Sequence, residues 1–282
     1  MADVLTTNSL ASDPVVMGRA PADLAAEPTV RRIGTADLWA SLAEGWRDFQ
    51  AAPTQLVFLA VIYPLVGLAL AVGASGGHLM GLVWPLAAGF ALVGPLAALG
   101  VYEISRRRER GLPASAAHAL GVLRAPGLGS IVALGVALLV VFALWIASAQ
   151  AIYLSTVGHA AQGGPPESFG HLLGRVFGTG EGWTLLLLGN TVGLAFAVLV
   201  LATTVVSFPL LLERDVGPVA AVRTSLRAVA ASPVPMALWG LTVAALLFLG
   251  SLPLFVGLAV VLPVLGHATW RLYRRVVVPP VG

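Results

Sequence analysis

Five stretches of this chain are too long and too apolar for burial in a water-soluble domain. They run Thr54–Val72, Leu79–Tyr102, Ser130–Val157, Trp183–Leu212 and Met236–Tyr273. A membrane-crossing helix needs about 20 mostly apolar residues, because each residue adds 1.5 Å across a hydrocarbon layer roughly 30 Å thick. The first four stretches fit one crossing each. The fifth has 38 residues, and one straight helix of that length would be about 57 Å long. Gly250, Ser251 and Pro253 lie near its middle, which predicts a tight hairpin and two spans. The expected fold is all-α: a polytopic membrane bundle of six transmembrane helices over residues 54–275. The expected spans are near 54–72, 79–102, 130–157, 183–212, 236–252 and 254–273. Five spans with one long broken element is the competing count.

Charge decides between them. Charged residues make up 10% of the 282 residues, against roughly 25% in a soluble domain. All 16 basic residues are Arg. With six spans and the N-terminus inside, every one except Arg175 falls in an inner segment (1–53, 103–129, 213–235 and the C-terminal end). Short loops rich in Arg stay on the cytoplasmic side, so both termini are expected there. Five spans would put Arg271, Arg274 and Arg275 outside. So sparse a basic set is no nucleic-acid footprint. The chain has no Cys, which removes disulfides, thiolate metal ligands and cysteine nucleophiles.

The first 53 residues are the polar part and hold more than half of the 13 acids. Residues 1–34 read as a disordered tail: small, polar and punctuated by Pro. No basic start followed by an apolar core and a cleavage site is present, so a cleaved signal peptide is not expected. Residues 35–53 read as an amphipathic interfacial helix, with Thr35 as N-cap and Pro53 as its end. Leu38, Leu42, Trp46 and Phe49, with Trp39 beside them, share one face at helical spacing. That face suits the membrane interface or packing against the bundle.

The span interiors carry no Asp, Glu or Arg, which argues against a proton- or sodium-driven pump. His267 is the lone His within a span, too few for haem ligation. No phosphate-binding Gly loop or metalloprotease pair occurs, and no Ser stands in a nucleophile-type turn. His159, Glu167 and His171 in the outer loop match no metal spacing. No metal, cofactor or catalytic residue is therefore expected, and the chain is read as not an enzyme. Gln150, Asn190 and Thr191 are the polar points inside spans. Gly189, Gly193 and Ala197 form a small-residue stripe beside Asn190, which suits close helix packing. A polar solute site at these three residues is the alternative. Pro64, Pro85, Pro95, Pro209, Pro253 and Pro263 predict kinks.

The two longer inner loops echo each other. One runs from Pro95 through Glu103, Arg106 and Gly111 to Ala116–Arg124. The other runs from Pro209 through Glu213, Arg214 and Gly217 to Ala220–Arg227. Each is an acid–Arg cluster, a Gly turn and a short amphipathic elbow, as in a duplicated hairpin.

The most distinctive run is Gly257–Arg274. His267, Trp270, Arg271 and Arg274 fall on one side of a helix at offsets of three, four and seven. Trp270 and the guanidiniums suit head-group level. The stripe is a candidate lipid-phosphate or gate site, since Arg binds phosphate through a two-pronged fork. This run, with Pro209, Glu213-Arg214-Asp215, Ser225, Ser232-Pro233 and Trp239-Gly240 upstream, resembles the domain-of-unknown-function-2189 family. Ala43–Phe49 followed by Pro53 is similar to that family's entry into its first span, and Trp145–Tyr153 to its third. The likeness spans about 35–277, and Ser232 stands where the pattern leads one to expect Asn. It implies a bacterial inner-membrane, multi-pass bundle and assigns no activity. The expected role is structural or accessory, with membrane lipids (including anionic ones) or a membrane protein as partner. A small-solute permease or channel is the alternative.

Overall fold

Residues 28–51, 83–158, 169–252 and 256–278 are described by the structure, a computed structural model. The expected span 54–72, the first residues of the span 79–102, His159 and Glu167 of the outer loop, and Pro253 at the hairpin lie outside the described residues.

Among the described residues the chain forms ten α-helices. They are α1 (Thr35–Ala51), α2 (Val83–Ala97), α3 (Leu99–Glu109), α4 (Leu128–Tyr153), α5 (Phe169–Gly178), α6 (Gly180–Thr204), α7 (Ser207–Glu213), α8 (Pro218–Ala231), α9 (Pro233–Ser251) and α10 (Leu258–Val276). A 3-10 segment, Ala116–Arg124, lies between α3 and α4. Among the described residues three units are long and apolar enough to cross a membrane: Leu128–Gly158, Gly180–Glu213 and Pro233–Ser251. They correspond to the third, fourth and fifth expected spans, with bounds shifted by one to three residues. Helix α3, which holds the end of the second expected span, continues past Tyr102 to Glu109. The long fifth apolar stretch divides into α9 and α10, as its central Gly, Ser and Pro required.

Helices that are apolar all round carry no stripe to mark their inner face, so small residues and aromatic hubs decide it. On α4, Ile131, Leu134 and Leu138 are buried while Val132, Val136 and Val140 face outward. Trp145 is the hub. Its indole N–H donates to the carbonyl of Pro85 in α2 at 2.9 Å, and its ring meets Phe196 of α6 edge-on at 5.7 Å. Gly89 and Gly193 let the neighbouring helices reach that ring: a Cβ at these positions would lie 2.8 Å and 3.2 Å from it. The fourth span breaks at Val205–Val206. Ser225 of α8 accepts the freed N–H of Val206 at 3.3 Å. The short α7 that follows is buried from Ser207 to Leu212.

Both inner elbows start as the sequence suggested. Gly111 (φ 67°) and Gly217 (φ 78°) hold left-handed turns that an L side chain resists. The elbows differ in form: the first is the 3-10 segment, the second is α8.

The N-terminal helix packs against the bundle, one of the two placements its sequence allowed, but through a different face from the apolar stripe. α1 packs antiparallel along the C-terminal half of α10. Its buried residues are Leu38, Ser41, Gly45 and Asp48, on a face rotated roughly 90° from the apolar stripe, at 100° per residue. Trp39 and Trp46 are 57% and 45% exposed. A Cβ on Gly45 would lie 2.6 Å from the backbone nitrogen of Ala268, so the two backbones touch there. The helix begins at Thr35, so its cap position falls on Gly34, and the Asp37 carboxylate reaches back from the first turn to accept the Gly34 N–H at 2.9 Å.

Residues 28–34, expected within a disordered tail, are pinned. Val30 and Val277 form an antiparallel bridge. The Arg31 N–H donates to the Val276 carbonyl at 2.8 Å and the Val278 N–H to the Thr29 carbonyl at 3.0 Å. The Ile33 N–H donates to Ser232 Oγ at 3.0 Å. These partners lie some 200 residues away in sequence, where no local pattern registers them.

The contact at Gly45 yields a direct expectation. Gly45→Val should destabilise the protein by about 3 kcal/mol or more, since overpacking against rigid backbone cannot relax through a rotamer. Gly189→Ala, with nothing within 4 Å of its Cβ position, should be neutral or stabilising by up to ~1 kcal/mol. Thermal unfolding of the full chain in mild detergent distinguishes the two.

Candidate functional site

α10 carries the polar cluster of the molecule on its last three turns. His267, Trp270, Arg271 and Arg274 lie together, as the helical spacing required, and His267 and Trp270 are fully buried. Their partners come from three other elements, α1, α3 and α7.

Asp48 of α1 is 4% exposed and receives a two-pronged guanidinium. Arg271 Nε donates to Oδ2 at 2.7 Å and Nη2 to Oδ1 at 3.0 Å. Arg108 of α3 reaches Oδ1 at 3.3 Å. One turn earlier on α1, Glu44 takes a second fork: Arg275 Nη2 donates to Oε1 at 2.8 Å and Nη1 to Oε2 at 3.2 Å. Arg275 also lies 3.6 Å from Asp37. The acids at positions 37, 44 and 48 thus follow one face of α1 and meet Arg271 and Arg275 one turn apart on α10.

The other side of α10 faces α3 and α7. Arg274 donates to Glu109 of α3 and to Glu213 of α7, each at 2.8 Å. Trp270 Nε1 donates to Glu109 at 3.1 Å, and the Tyr273 hydroxyl donates to Glu213. The Arg274 guanidinium stacks over the Trp270 ring. Deeper in the cluster, Glu103 is buried with Arg106 donating to it at 2.7 Å; Arg106 also reaches the Leu212 carbonyl at 3.3 Å.

His267 lies one turn nearer the bundle. Its Nδ1 is 2.7 Å from Ser105 Oγ of α3, and its Nε2 has no hydrogen-bond partner among the described residues. Gly266 lets α3 approach, since a Cβ there would lie 2.9 Å from Val101.

Chemically, the assembly is a set of charge-assisted hydrogen bonds in partial burial. Carboxylates occupy the positions a phosphate would take on Arg271 and Arg274, so the stripe is not an open anion cradle. The hydrogen bond and charge of Arg275 hold the Glu44 carboxyl below its ordinary value of 4.5, with Arg271 and Arg47 adding to the effect and partial burial opposing it.

The polar intramembrane residues stand apart from this cluster. Asn190 and Thr191 lie on an exposed face of α6, and each bonds its own helix: Asn190 Nδ2 to the Leu186 carbonyl and Thr191 Oγ1 to the Leu187 carbonyl, both at 2.7 Å. They line an open, mainly apolar hollow with Trp183, Leu186, Leu187 and Leu194. No bond from Asn190 to another helix occurs among the described residues. Gln150 of α4 is half-buried, and its Oε1 has no partner among the described residues. Among those residues no group of three or more His, Asp or Glu is placed to hold a metal ion.

Sequence reasoning identified the α10 stripe and missed what it binds. Asp48, Glu44, Glu109, Glu213 and Ser105 were not singled out as partners. The available signal was the Glu44/Asp48 pair, one turn apart, beside a chain with three Arg near its other end.

Comparison with known proteins agrees with the resemblance read from the residues. Residues 83–213 match the model of the DUF2189 family, described as predicted integral membrane proteins. The match covers α2 to α7 and stops short of Gly257–Arg274. No curated protein and no solved structure matches the chain.

Two stability expectations follow from the ion pairs. Arg271→Ala leaves Asp48 buried with Arg108 as its remaining cation, and should cost about 3–5 kcal/mol, the range for orphaning a buried charge. Arg275→Ala breaks more exposed pairs and should cost about 1 kcal/mol or less. Acid should act through Glu44. A carboxyl whose folded pKa is depressed stabilises fully above its unfolded value and loses that contribution as pH falls through the folded one. Detergent-solubilised protein should therefore lose thermal stability below pH 4.5, and Glu44→Gln should flatten part of that slope.

Proposed function

We propose that this chain, whose segment 83–213 matches a family of predicted integral membrane proteins, is a six-span inner-membrane protein with both termini cytoplasmic and a non-catalytic, structural or accessory role. One observation carries the reading: the polar residues gathered at α10 neutralise one another. Asp48, Glu44, Glu109 and Glu213 each meet a guanidinium from α10. Such a cluster locks helices together, and His267, whose Nε2 is unpartnered among the described residues, is fully buried within it.

The even span count has separate support. The Val30–Val277 bridge joins the two ends of the chain, and ends that meet lie on one side of a bilayer. Arginine bias assigns that side to the cytoplasm. Outward-facing Val132, Val136, Leu187, Leu194, Leu241 and Phe248 on α4, α6 and α9 suit lipid tails as solvent. Trp39 and Trp46 project from α1 where indoles suit the interface.

A small-solute permease or channel is the second reading. It is favoured by Pro263, which removes a ladder N–H one turn before His267 with its unpartnered Nε2. The salt bridges would then form an inner gate. On that reading, Arg271→Ala in proteoliposomes opens a flux of small neutral solutes; on the accessory reading, it changes stability and leaves permeability unchanged.

Reporter fusions test the topology. Alkaline phosphatase should be active when fused after Gly76, Gly164 or Pro253 and inactive after Arg110, Pro218 or Val278. Activity at Val278 would contradict the six-span arrangement.

A further inference from the structure

We propose that the two inner elbows, the 3-10 segment Ala116–Arg124 with its Gly111 lead-in and α8, form one surface that docks on the anionic head-group layer of the bilayer. Arg110, Arg124 and Arg223 take the phosphates, and Leu120, Leu123 and Leu226 enter the acyl boundary. The inference rests on the integral-membrane reading above and adds the site and the lipid chemistry.

Sorting the arginines by what they touch leads to it. Arg106, Arg108, Arg271, Arg274 and Arg275 are committed to carboxylates. Arg107 bonds the Pro113 carbonyl and Arg214 the Val278 carbonyl. Arg110, Arg124 and Arg223 differ: all three are exposed and have no ion pair or side-chain hydrogen bond among the described residues. Among the described residues the unpaired cations of this end are therefore these three on the elbows and Arg32 beside the Val30–Val277 bridge, and none lies on the α10 stripe.

Arg124 and Arg223 lie beside outward-facing apolar side chains, and Arg110 lies two residues before the exposed Leu112. Leu120 and Leu123 are 71% and 65% exposed. They are three residues apart in a 3-10 turn, where positions i and i+3 eclipse, so they project from one edge with Arg124 adjoining. On α8, exposed Val219 and Leu226 flank Arg223 at offsets of four and three, which is one helical face. A strip that alternates leucine with unpaired guanidinium is poorly solvated by water and well matched to the boundary between phosphates and acyl chains.

Chain continuity sets the depth. Arg124 precedes the start of α4 at Leu128 by four residues, and α8 ends two residues before α9 begins at Pro233. Both α4 and α9 belong to units long and apolar enough to span a membrane. The elbows also share one level, since Gly127, just past the first, abuts the carbonyls of Leu211 and Arg214, just before the second. An acidic protein partner would match the charges and leave the leucines unexplained.

The test uses full-length wild type and the triple variant Arg110→Gln, Arg124→Gln, Arg223→Gln. Both are transferred into nanodiscs from an equal mixture of phosphatidylglycerol and phosphatidylcholine, and the retained lipid is then quantified by mass spectrometry. Wild type should enrich phosphatidylglycerol, and enrichment should fall as salt is raised. At about 1 kcal/mol per surface Arg, roughly fivefold each, three substitutions should lower relative affinity on the order of a hundredfold. Leu120→Ser with Leu123→Ser and Leu226→Ser should lower retention of both lipids alike. Equal melting of the variants and wild type in lipid-free micelles establishes that they fold. Enrichment by the triple variant equal to wild type overturns the proposal. So does wild type without preference between the lipids, including the case where an acidic protein is held at the elbows instead. Wild type that stays soluble without detergent and enters no nanodisc overturns the integral-membrane reading itself, and the proposal with it.

Discussion

Asp48 is nearly out of reach of water, and a carboxylate there is tolerable while Arg271 grips both of its oxygens. Isolated, the charge would cost several kcal/mol. That pairing fixes the rotation of two helices at once. α1 must turn its Leu38–Asp48 face inward even though the face is less apolar than its neighbour, and Gly45 lets the backbones close to contact at Ala268. α10, held on one side by α1, then offers Arg274 to Glu109 and Glu213 on the other. α3 and α7 are thereby tied to the same helix. Ser232 and the Val30–Val277 bridge complete the fastening of both chain ends.

The molecule divides by solvent. Toward α4, α6 and α9, valine and leucine face outward and buried contacts depend on Gly89, Gly193 and the Trp145 hub. Hydrocarbon supplies no hydrophobic drive between helices, so close approach and hydrogen bonds must hold them. Around the end of α10 the logic reverses: Glu103, Ser105, Asp48 and His267 are buried, and charge-assisted bonds specify which helix meets which.

Where one physical rule governed a segment, the sequence was readable. Length and hydropathy located the third, fourth and fifth spans, and Gly250 with its Ser and Pro neighbours divided the last apolar stretch. Gly111 and Gly217 marked left-handed turns. Helical offsets grouped His267, Trp270, Arg271 and Arg274. Reading failed where two rules competed. On α1 the apolar stripe through Trp46 suited either the membrane interface or the bundle, and the ion pair with a helix more than 200 residues away turned the adjacent face onto α10. A stripe of arginines looks the same from sequence whether it awaits a phosphate or is already answered by carboxylates. Asn190 appeared poised to bond across helices, and its own Leu186 carbonyl satisfied it first.

The central claim is that a lock between α1 and α10 holds the two ends of the chain together on one side of the membrane. The chain has no cysteine of its own, so Val30→Cys with Val277→Cys introduces a single pair at bridged positions. Bridged strand residues sit about 4.5–5.5 Å apart between Cα atoms, within disulfide reach. Mild oxidation of membranes carrying the full-length double variant should give an intramolecular disulfide in high yield. Adding Asp48→Ala and Arg271→Ala should lower that yield sharply. Two cysteines that never cross-link, and that react with impermeant thiol reagents from opposite sides of the membrane, would contradict the account.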